Sequence, residues 1–317
     1  MEALRNDYLA EVKNNGIEQR QEITAAAMER FIAYLDVAPK TAATYTRALR
    51  QFAAFLVEQG IRRPERSDIL LYRDTLQAEH KPTTVQSYMT ATRLFFRWTA
   101  QEGIYPNVAD HIKGAKLDKE FRKDYLTVSQ VKEILNGIDR STLQGLRNYA
   151  ILYLMVSGGL RDIEVSRANI EDLRAAGNET VLYIQGKGHQ ERTDYVKVGA
   201  PVEKAIRAYL KARGKAADNE PLFVSTSNRS KGQRLNTNAI STIAKQAMQE
   251  AGYDSERWTA HSLRHTAVTL SILSGMELTE VQQFARHRSL ETTMIYNHAL
   301  DKAKNRCANT ICSLIED

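Results

Sequence analysis

The chain has 317 residues, of which 43% are hydrophobic and 26% charged, and its formal net charge at pH 7 is +6. This length favours two domains, each able to bury a core. The pI of about 9.1 suits a polyanionic partner, although many equally basic proteins bind no nucleic acid. The longest apolar stretch, around residues 149–155, is too short to span a bilayer.

The cysteines and the N-terminal arm indicate the compartment. Cys307 and Cys312 are the only cysteines, and their five-residue separation on a predicted helix disfavours a disulfide. No Cys/His pairs have the spacing of a zinc finger, so we expect a reducing environment and no structural zinc. Residues 1–20 form a charged arm without the apolar core of a signal peptide. These features predict a cytoplasmic protein.

Residues 21–105 have the apolar spacing of helices almost throughout. The pattern predicts a first helix before residue 36 and a second that is N-capped by Thr41 and stopped by Gly60. A short third helix is predicted over 68–78, and Pro82 opens a fourth. Four helices without strands predict a compact bundle.

Residues 106–125 read as a linker with few large apolar side chains. Composition alone favours two interpretations about equally, a solvated connector and a basic strap across a phosphate backbone. The basic residues of this segment are Lys113, Lys116, Lys119, Arg122 and Lys123.

From residue 126 to residue 300 the chain is mainly helical, with one predicted β-hairpin. A strongly apolar helix over 147–156 is broken by two glycines. Strands are predicted over 181–184 and 193–198, and Lys187 lies near the turn between them. The fold class is therefore mainly α with a small β-sheet.

Several polar residues of this region, taken one at a time, have an ordinary structural interpretation. A lone tyrosine such as Tyr296 is usually structural, His261 and Arg264 could be a surface pair, and Lys187 a solvated turn residue. Arg161 could simply pair with Asp162 or Glu164. Together they place cations and imidazoles around one phenol. A phenol has a pKa of about 10 and needs such help to act as a nucleophile, and a cationic set of this kind suits phosphoryl transfer.

The order and spacing of these residues resemble the tyrosine recombinases, or phage-type integrases, which include Xer, Cre and lambda integrase. The matching motifs are Gly159–Glu164, Lys187 in the hairpin turn, His261–His265, and His287 followed by Thr292-Thr293 and, nine positions on, Tyr296. The match covers 126–300. One departure is Arg286, where the family usually has glycine.

The resemblance implies a role for each residue. Tyr296 would attack the scissile phosphodiester and form a 3′-phosphotyrosyl link. Arg161 and Arg264 would clamp the non-bridging oxygens, and Lys187 would protonate the leaving 5′ oxygen. His261 would take the tyrosine proton, and His287 would donate a hydrogen bond to the phosphate. Glu164 and His265 would support them, and neither ATP nor a metal ion would be needed.

The resemblance also implies an N-terminal SAM-like core-binding bundle over 21–105, a mixed α/β catalytic domain over 126–300, and a tail helix over 301–317 that exchanges between protomers. The expected partner is double-stranded DNA with specific sites, bound by a homotetramer across two sites with possible DNA-bending or directionality factors. Candidate DNA contacts outside the linker are Thr41, Thr44, Arg47, Arg50, Thr83, Thr84, Gln86 and Arg93.

The function implied is site-specific recombination through a Holliday junction, with integration or excision of a mobile element as the first reading. Xer-type resolution of chromosome or plasmid dimers is the alternative. Two rival readings remain, a type IB topoisomerase-like relaxase and a non-catalytic DNA-binding relative. The complete set of candidate catalytic residues disfavours the second rival.

Overall fold

The computed structural model describes residues 22–116, 125–186, 191–255 and 257–304. The chain divides into two compact units, Met1–Lys119 and Glu120–Asp317. Within the described ranges, every helix falls short of the length and apolarity that a bilayer span requires.

The first unit is helical in its described part. Its helices are α1 (Ala25–Tyr34), α2 (Pro39–Glu58), α3 (Arg66–Glu79) and α4 (Pro82–Gln101). Thr24 caps α1, its hydroxyl accepting the Ala27 N–H at 3.2 Å. The prediction that Thr41 caps α2 is wrong. Pro39 occupies the first turn, where its fixed φ suits a helix start and its missing N–H costs nothing, so Thr41 lies inside the helix.

The core of this unit is aromatic. Phe52 packs against Tyr72 with ring centroids 5.0 Å apart, and Phe95 packs against Phe96 at 5.3 Å. Ala109 and Ile112 are buried in the same core. The first part of the predicted linker therefore packs with the helical unit.

The second unit combines eight α-helices and one short 3-10 helix, Ile170–Asp172, with one sheet in its described residues. The helices are α5 (Val128–Gly137), α6 (Leu143–Gly158), α7 (Asp162–Arg167), α8 (Ala200–Arg213), α9 (Thr237–Glu250), α10 (Ala260–Leu273), α11 (Leu278–Ala285) and α12 (Leu290–Lys304). The strands are β1 (Leu173–Ala176), β2 (Glu179–Ile184) and β3 (Asp194–Val198), antiparallel in the order β1-β2-β3. The sequence predicted β2 and β3 but not β1.

Helix α6 is the central element of this unit. It is buried along most of its length and ends at Gly159, whose φ of +57° is the left-handed conformation that glycine adopts most readily. A Cβ at this position would lie 3.1 Å from the Phe284 ring of α11. The two-glycine break thus lets α11 pack closely on the end of α6, next to the start of α7.

Candidate active site

The residues singled out by their spacing lie on four neighbouring parts of the second unit. Arg161 precedes α7, the His261–His265 segment is on α10, His287 is in the turn before α12, and Tyr296 is on α12. Arg161 and His287 line an open cavity of about 660 Å³. Its lining includes Arg161, Gly186, Arg286, His287, Arg288 and Thr292.

The Tyr296 phenol is buried, with 6% of the residue exposed. Its hydroxyl lies 2.5 Å from Nδ1 of His265, a residue for which the family resemblance implied only a supporting role. Burial raises the pKa of Tyr296 to about 12, although the positive charges of Arg264 and Arg161 act to lower it. The phenol is therefore neutral at physiological pH in the DNA-free chain.

Two further imidazoles lie close to this pair. The His287 ring stacks on the Tyr296 ring with centroids 6.0 Å apart, and its Nδ1 is 2.9 Å from the buried hydroxyl of Thr293. The exposed His261 meets His265 edge-on at 4.5 Å. Burial, followed by the charges of Arg264, Arg161, Arg286 and His261, lowers the pKa of His287 to about 4. His287 is thus neutral without DNA. The negative charge of a bound phosphate would offset the positive charges that lower the pKa of His287.

Arg264 is 2% exposed and donates to the carbonyl oxygens of Gly159 and Ala285. These oxygens lie at the C-terminal ends of α6 and α11, where a cation interacts favourably with the helix dipole. Burial, then the charges of Arg161 and Arg286, lowers its pKa to about 9. Arg264 therefore already binds two helix ends beside the cavity.

Arg161 is held by Glu164. Its Nη1 is 2.7 Å from Oε1, and its backbone N–H donates to Oε2 at 2.8 Å. The Glu164 side chain is fully buried, whereas 28% of the Arg161 side chain is exposed. Burial acts to raise the pKa of Glu164, but Arg286 and Arg161 outweigh it and hold that pKa below its usual value. The carboxylate is therefore ionised and fixes Arg161 at the rim.

Lys187 lies outside the described residues, but both approaches to it are described. Gly186 lines the cavity, and its carbonyl accepts from Nη1 of Arg167 at 3.2 Å. On the other side, Arg192 donates to the Arg167 carbonyl at 3.2 Å and pairs with the buried Asp172 at 3.0 Å. Sequence spacing did not reveal this set, because its members come from separate elements.

The candidate DNA contacts of the helical unit fall into two groups. Thr44, Arg47, Arg50 and Thr83 are exposed, while Thr41, Thr84, Gln86 and Arg93 are partly buried. The Arg93 guanidinium donates to the carbonyl of Ile112 at 3.2 Å and to the Thr90 hydroxyl at 3.2 Å. Lys113 and Lys116 are exposed. The other basic linker residues, Lys119, Arg122 and Lys123, lie outside the described residues.

Comparison with known proteins identifies the family to which this fold and this set of side chains belong. Residues 124–303 match the phage integrase family, and residues 25–104 match the N-terminal SAM-like domain of phage integrases. The chain belongs to the tyrosine recombinase family and is a site-specific DNA recombinase.

Its relatives include proteins named tyrosine recombinase XerC. The protein from Pelobacter propionicus is 32% identical over 274 residues, which cover 84% of this chain and 87% of the relative. The protein from Chlamydia muridarum is 32% identical over 246 residues, covering 76% and 75%.

Solved structures share the fold at lower identity. XerH recombinase bound to a palindromic difH substrate, in a post-cleavage complex, has a TM-score of 0.71 and 22% identity, over 86% of this chain and 80% of its own. A lambda integrase dimer bound to a COC′ core site has a TM-score of 0.67 and 15% identity, over 93% and 85%. Both cover the two units of this chain.

Proposed function

We propose that Tyr296 is the nucleophile with which this recombinase cuts DNA, leaving a 3′-phosphotyrosyl link. One observation carries the proposal: ring contacts, a hydrogen bond and charge link the Tyr296 phenol with three histidines and two arginines, of which His287 and Arg161 line a cavity. The charges of Arg264 and Arg161 act to lower the pKa of both Tyr296 and His287, which supports a single electrostatic site for the four groups.

In the cleavage step the Tyr296 oxygen bonds to phosphorus as the bond from phosphorus to the 5′ oxygen breaks. Arg161 and Arg264 stabilise the extra charge on the non-bridging oxygens, and His287 donates a hydrogen bond to one of them. The leaving 5′ oxygen takes a proton from Lys187. A 5′ hydroxyl of a partner strand then attacks the link, reverses each transfer and forms a Holliday junction.

The proton of Tyr296 passes to the His261–His265 pair. The neutral phenol already lies at hydrogen-bonding distance from His265, and His261 packs against His265 at the exposed side. An imidazole has a pKa near neutrality and can accept this proton without extreme conditions. Sequence reasoning gave this role to His261, and the geometry supports a part for His265.

The substrate is double-stranded DNA with two specific sites, each bound by two protomers of a homotetramer, and the reaction takes place in the cytoplasm. The XerC names of its relatives favour resolution of chromosome or plasmid dimers over integration of a mobile element. Accessory DNA-bending or directionality factors remain part of the proposal. The exposed Thr44, Arg47, Arg50 and Thr83 are the leading DNA contacts of the helical unit.

The proposal is tested by trapping cleavage on a duplex nicked beside the scissile phosphate. The released short strand diffuses away, so the covalent protein–DNA adduct accumulates. Tyr296→Phe should abolish the adduct while DNA affinity stays within about threefold, because the hydroxyl is buried and its loss leaves the surface unchanged.

Tyr195→Phe is the matched control, since Tyr195 is 51% exposed on β3 of the same unit. It should form the adduct at the wild-type rate. An undiminished adduct in Tyr296→Phe would assign the nucleophile to another residue. Relaxation of a supercoiled plasmid by a monomer, without joint products between two sites, would instead favour the topoisomerase-like reading.

A further inference from the structure

Arg286 stands out because its backbone conformation is unfavourable for a side chain. It ends α11 with φ +53° and ψ +46°, the left-handed region that helix C-termini usually fill with glycine. Only one other described non-glycine residue, His111, has a positive φ. A bulky residue persists in such a conformation when its surroundings hold it there.

The surroundings of Arg286 do hold it. Its side chain is 10% exposed and points inward, where Nη2 donates to the Glu164 carboxylate at 2.9 Å and to the Gly159 carbonyl at 3.0 Å. Nη1 donates to the Phe284 carbonyl at 2.8 Å. The guanidinium thus joins the end of α11 to the glycine break after α6 and to the start of α7.

Glu164 is the shared partner of two arginines. Its Oε2 accepts from both the Arg161 backbone N–H, at 2.8 Å, and Arg286 Nη2, at 2.9 Å, while Oε1 receives Arg161 Nη1 at 2.7 Å. A fully buried carboxylate is stable only when its charge and lone pairs are matched. Removing Arg286 would leave Oε2 of Glu164 without its cationic partner. The carboxylate could then move, and Arg161 would move with it.

We propose that Arg286 is a positioning residue for cleavage, which acts through Glu164 to hold Arg161 at the scissile phosphate and fixes the turn that carries His287. This inference rests on the proposed role of Arg161 as a phosphate clamp. A glycine at position 286 would adopt this conformation without strain but could make no side-chain contact. The arginine instead links the end of α11 to α7 through Glu164. The Arg161 guanidinium is thereby set before DNA binds, as transition-state stabilisation requires.

The test measures the rate of adduct formation on the nicked duplex at increasing DNA concentration. The rate at saturating DNA reports the cleavage step, and the DNA concentration that gives half of this rate reports the affinity for DNA. Arg286→Gly should lower the saturated rate at least tenfold and change the half-saturating concentration less than twofold. Glu164→Gln should lower the rate similarly. The double variant should lose little more than the more damaged single variant, because both changes break one link.

His111→Gly is the matched control, since it removes the other positive-φ side chain of the described residues, one that pairs with the neighbouring Asp110. It should cleave at the wild-type rate. Arg286→Lys keeps the charge without the planar fork and should recover only part of the rate. Thermal unfolding of each variant, followed by circular dichroism, identifies any variant that is not folded at the assay temperature.

Three outcomes would overturn the inference: a wild-type rate in folded Arg286→Gly, a loss confined to DNA affinity, or multiplicative losses in the double variant. The second would make Arg286 a DNA contact, and the third would make it independent of Glu164. If the wild-type chain itself forms no adduct, the proposed function fails rather than the role of Arg286.

Discussion

At the Tyr296 hydroxyl, burial and charge act in opposite directions. Burial is the larger effect and raises the pKa to about 12, while Arg264 and Arg161 act to lower it. The same two arginines are expected to stabilise the negative charge that develops on the phosphate. The pKa of Tyr296 therefore reports, in the absence of DNA, how near the two guanidinium groups lie to the phenol.

The raised pKa of Tyr296 predicts a loss of stability in alkali. In the unfolded chain this phenol ionises near pH 10, so its contribution to folding is complete below pH 10 and is lost as the pH rises through about 12. Between these values the free energy of unfolding should fall more steeply in the wild type than in Tyr296→Phe, by about 2 kcal/mol in total. Urea denaturation at a series of pH values measures this difference.

The exposed Tyr195→Phe variant is the control for the alkaline titration and should follow the wild type. Parallel curves for the wild type and Tyr296→Phe would show that the phenol ionises equally well in the folded chain. In that case the hydroxyl would not be buried as the structure has it.

The residues of the site differ in how far the sequence could reveal them. Order and spacing along the chain brought out Arg161, His287 and Tyr296, because each lies in a short motif. The contact between Tyr296 and His265 joins two helices, and the contact between Arg286 and Glu164 joins α11 to α7. No local pattern encodes such pairs, since they depend on how the helices pack.

Among the elements, the hairpin of β2 and β3 is fixed at both of its approaches to the turn. Arg167 binds the Gly186 carbonyl on one side, and Arg192 binds the buried Asp172 on the other. Arg192 also donates to the Arg167 carbonyl, which connects the two anchors. We expect these contacts to limit the range of positions open to Lys187.

Arg192→Ala should therefore impair proton donation to the leaving group. With an ordinary nicked duplex we expect adduct formation to slow at least tenfold, because the proposed acid, Lys187, would be held less firmly. With a sulfur atom in place of the bridging 5′ oxygen the rate should return to within about threefold of the wild type. A thiolate leaves without a proton, so general acid catalysis is no longer needed.

Arg207→Ala is the matched control for this variant, since it removes a surface arginine of α8 that pairs with Glu203. It should leave both rates unchanged. Lys187→Ala should behave like Arg192→Ala with the two substrates. A defect in Arg192→Ala that persists with the sulfur-bridged duplex would mean that Arg192 supports the fold generally rather than the position of the acid.

Some helix and strand boundaries are determined by the local sequence, and others depend on contacts with distant parts of the chain. Pro82 opens α4 as predicted, because proline in a first turn is a local signal. For α2 the same signal at Pro39 competed with Thr41, and proline prevailed. Strand β1 was missed because Leu173–Ala176 has no alternating pattern, and it exists through its pairing with β2.

For the whole molecule, the proposed tetramer requires contacts between protomers, and the predicted tail is the segment proposed to provide them. The spacing of Cys307, Ile311, Leu314 and Ile315 predicts one apolar face on that tail, which would cover either a neighbouring protomer or the core of its own protomer. All four residues lie outside the described residues. Helix α12 is described to Lys304 and carries Tyr296. A tail that joins a neighbouring protomer would thus follow in sequence directly after the helix that carries Tyr296.

Deletion of residues 305–317 should separate assembly from binding. It leaves α12 at its full described length, so binding of one protomer to one site should change less than threefold. Recombination between two sites should fall at least tenfold, because exchange needs contacts between protomers. Gel-shift titration and a two-site plasmid assay measure the two quantities. Equal losses in both would assign the tail to the folding of its own protomer.

The most direct measurement is the chemical identity of the bond between protein and DNA. The adduct trapped on a nicked duplex is digested with protease and nuclease, and the peptide that carries a nucleotide is sequenced by mass spectrometry. We expect one modified residue, Tyr296, joined to a 3′ phosphate. A nucleotide on any other residue, or a link to a 5′ phosphate, would contradict it.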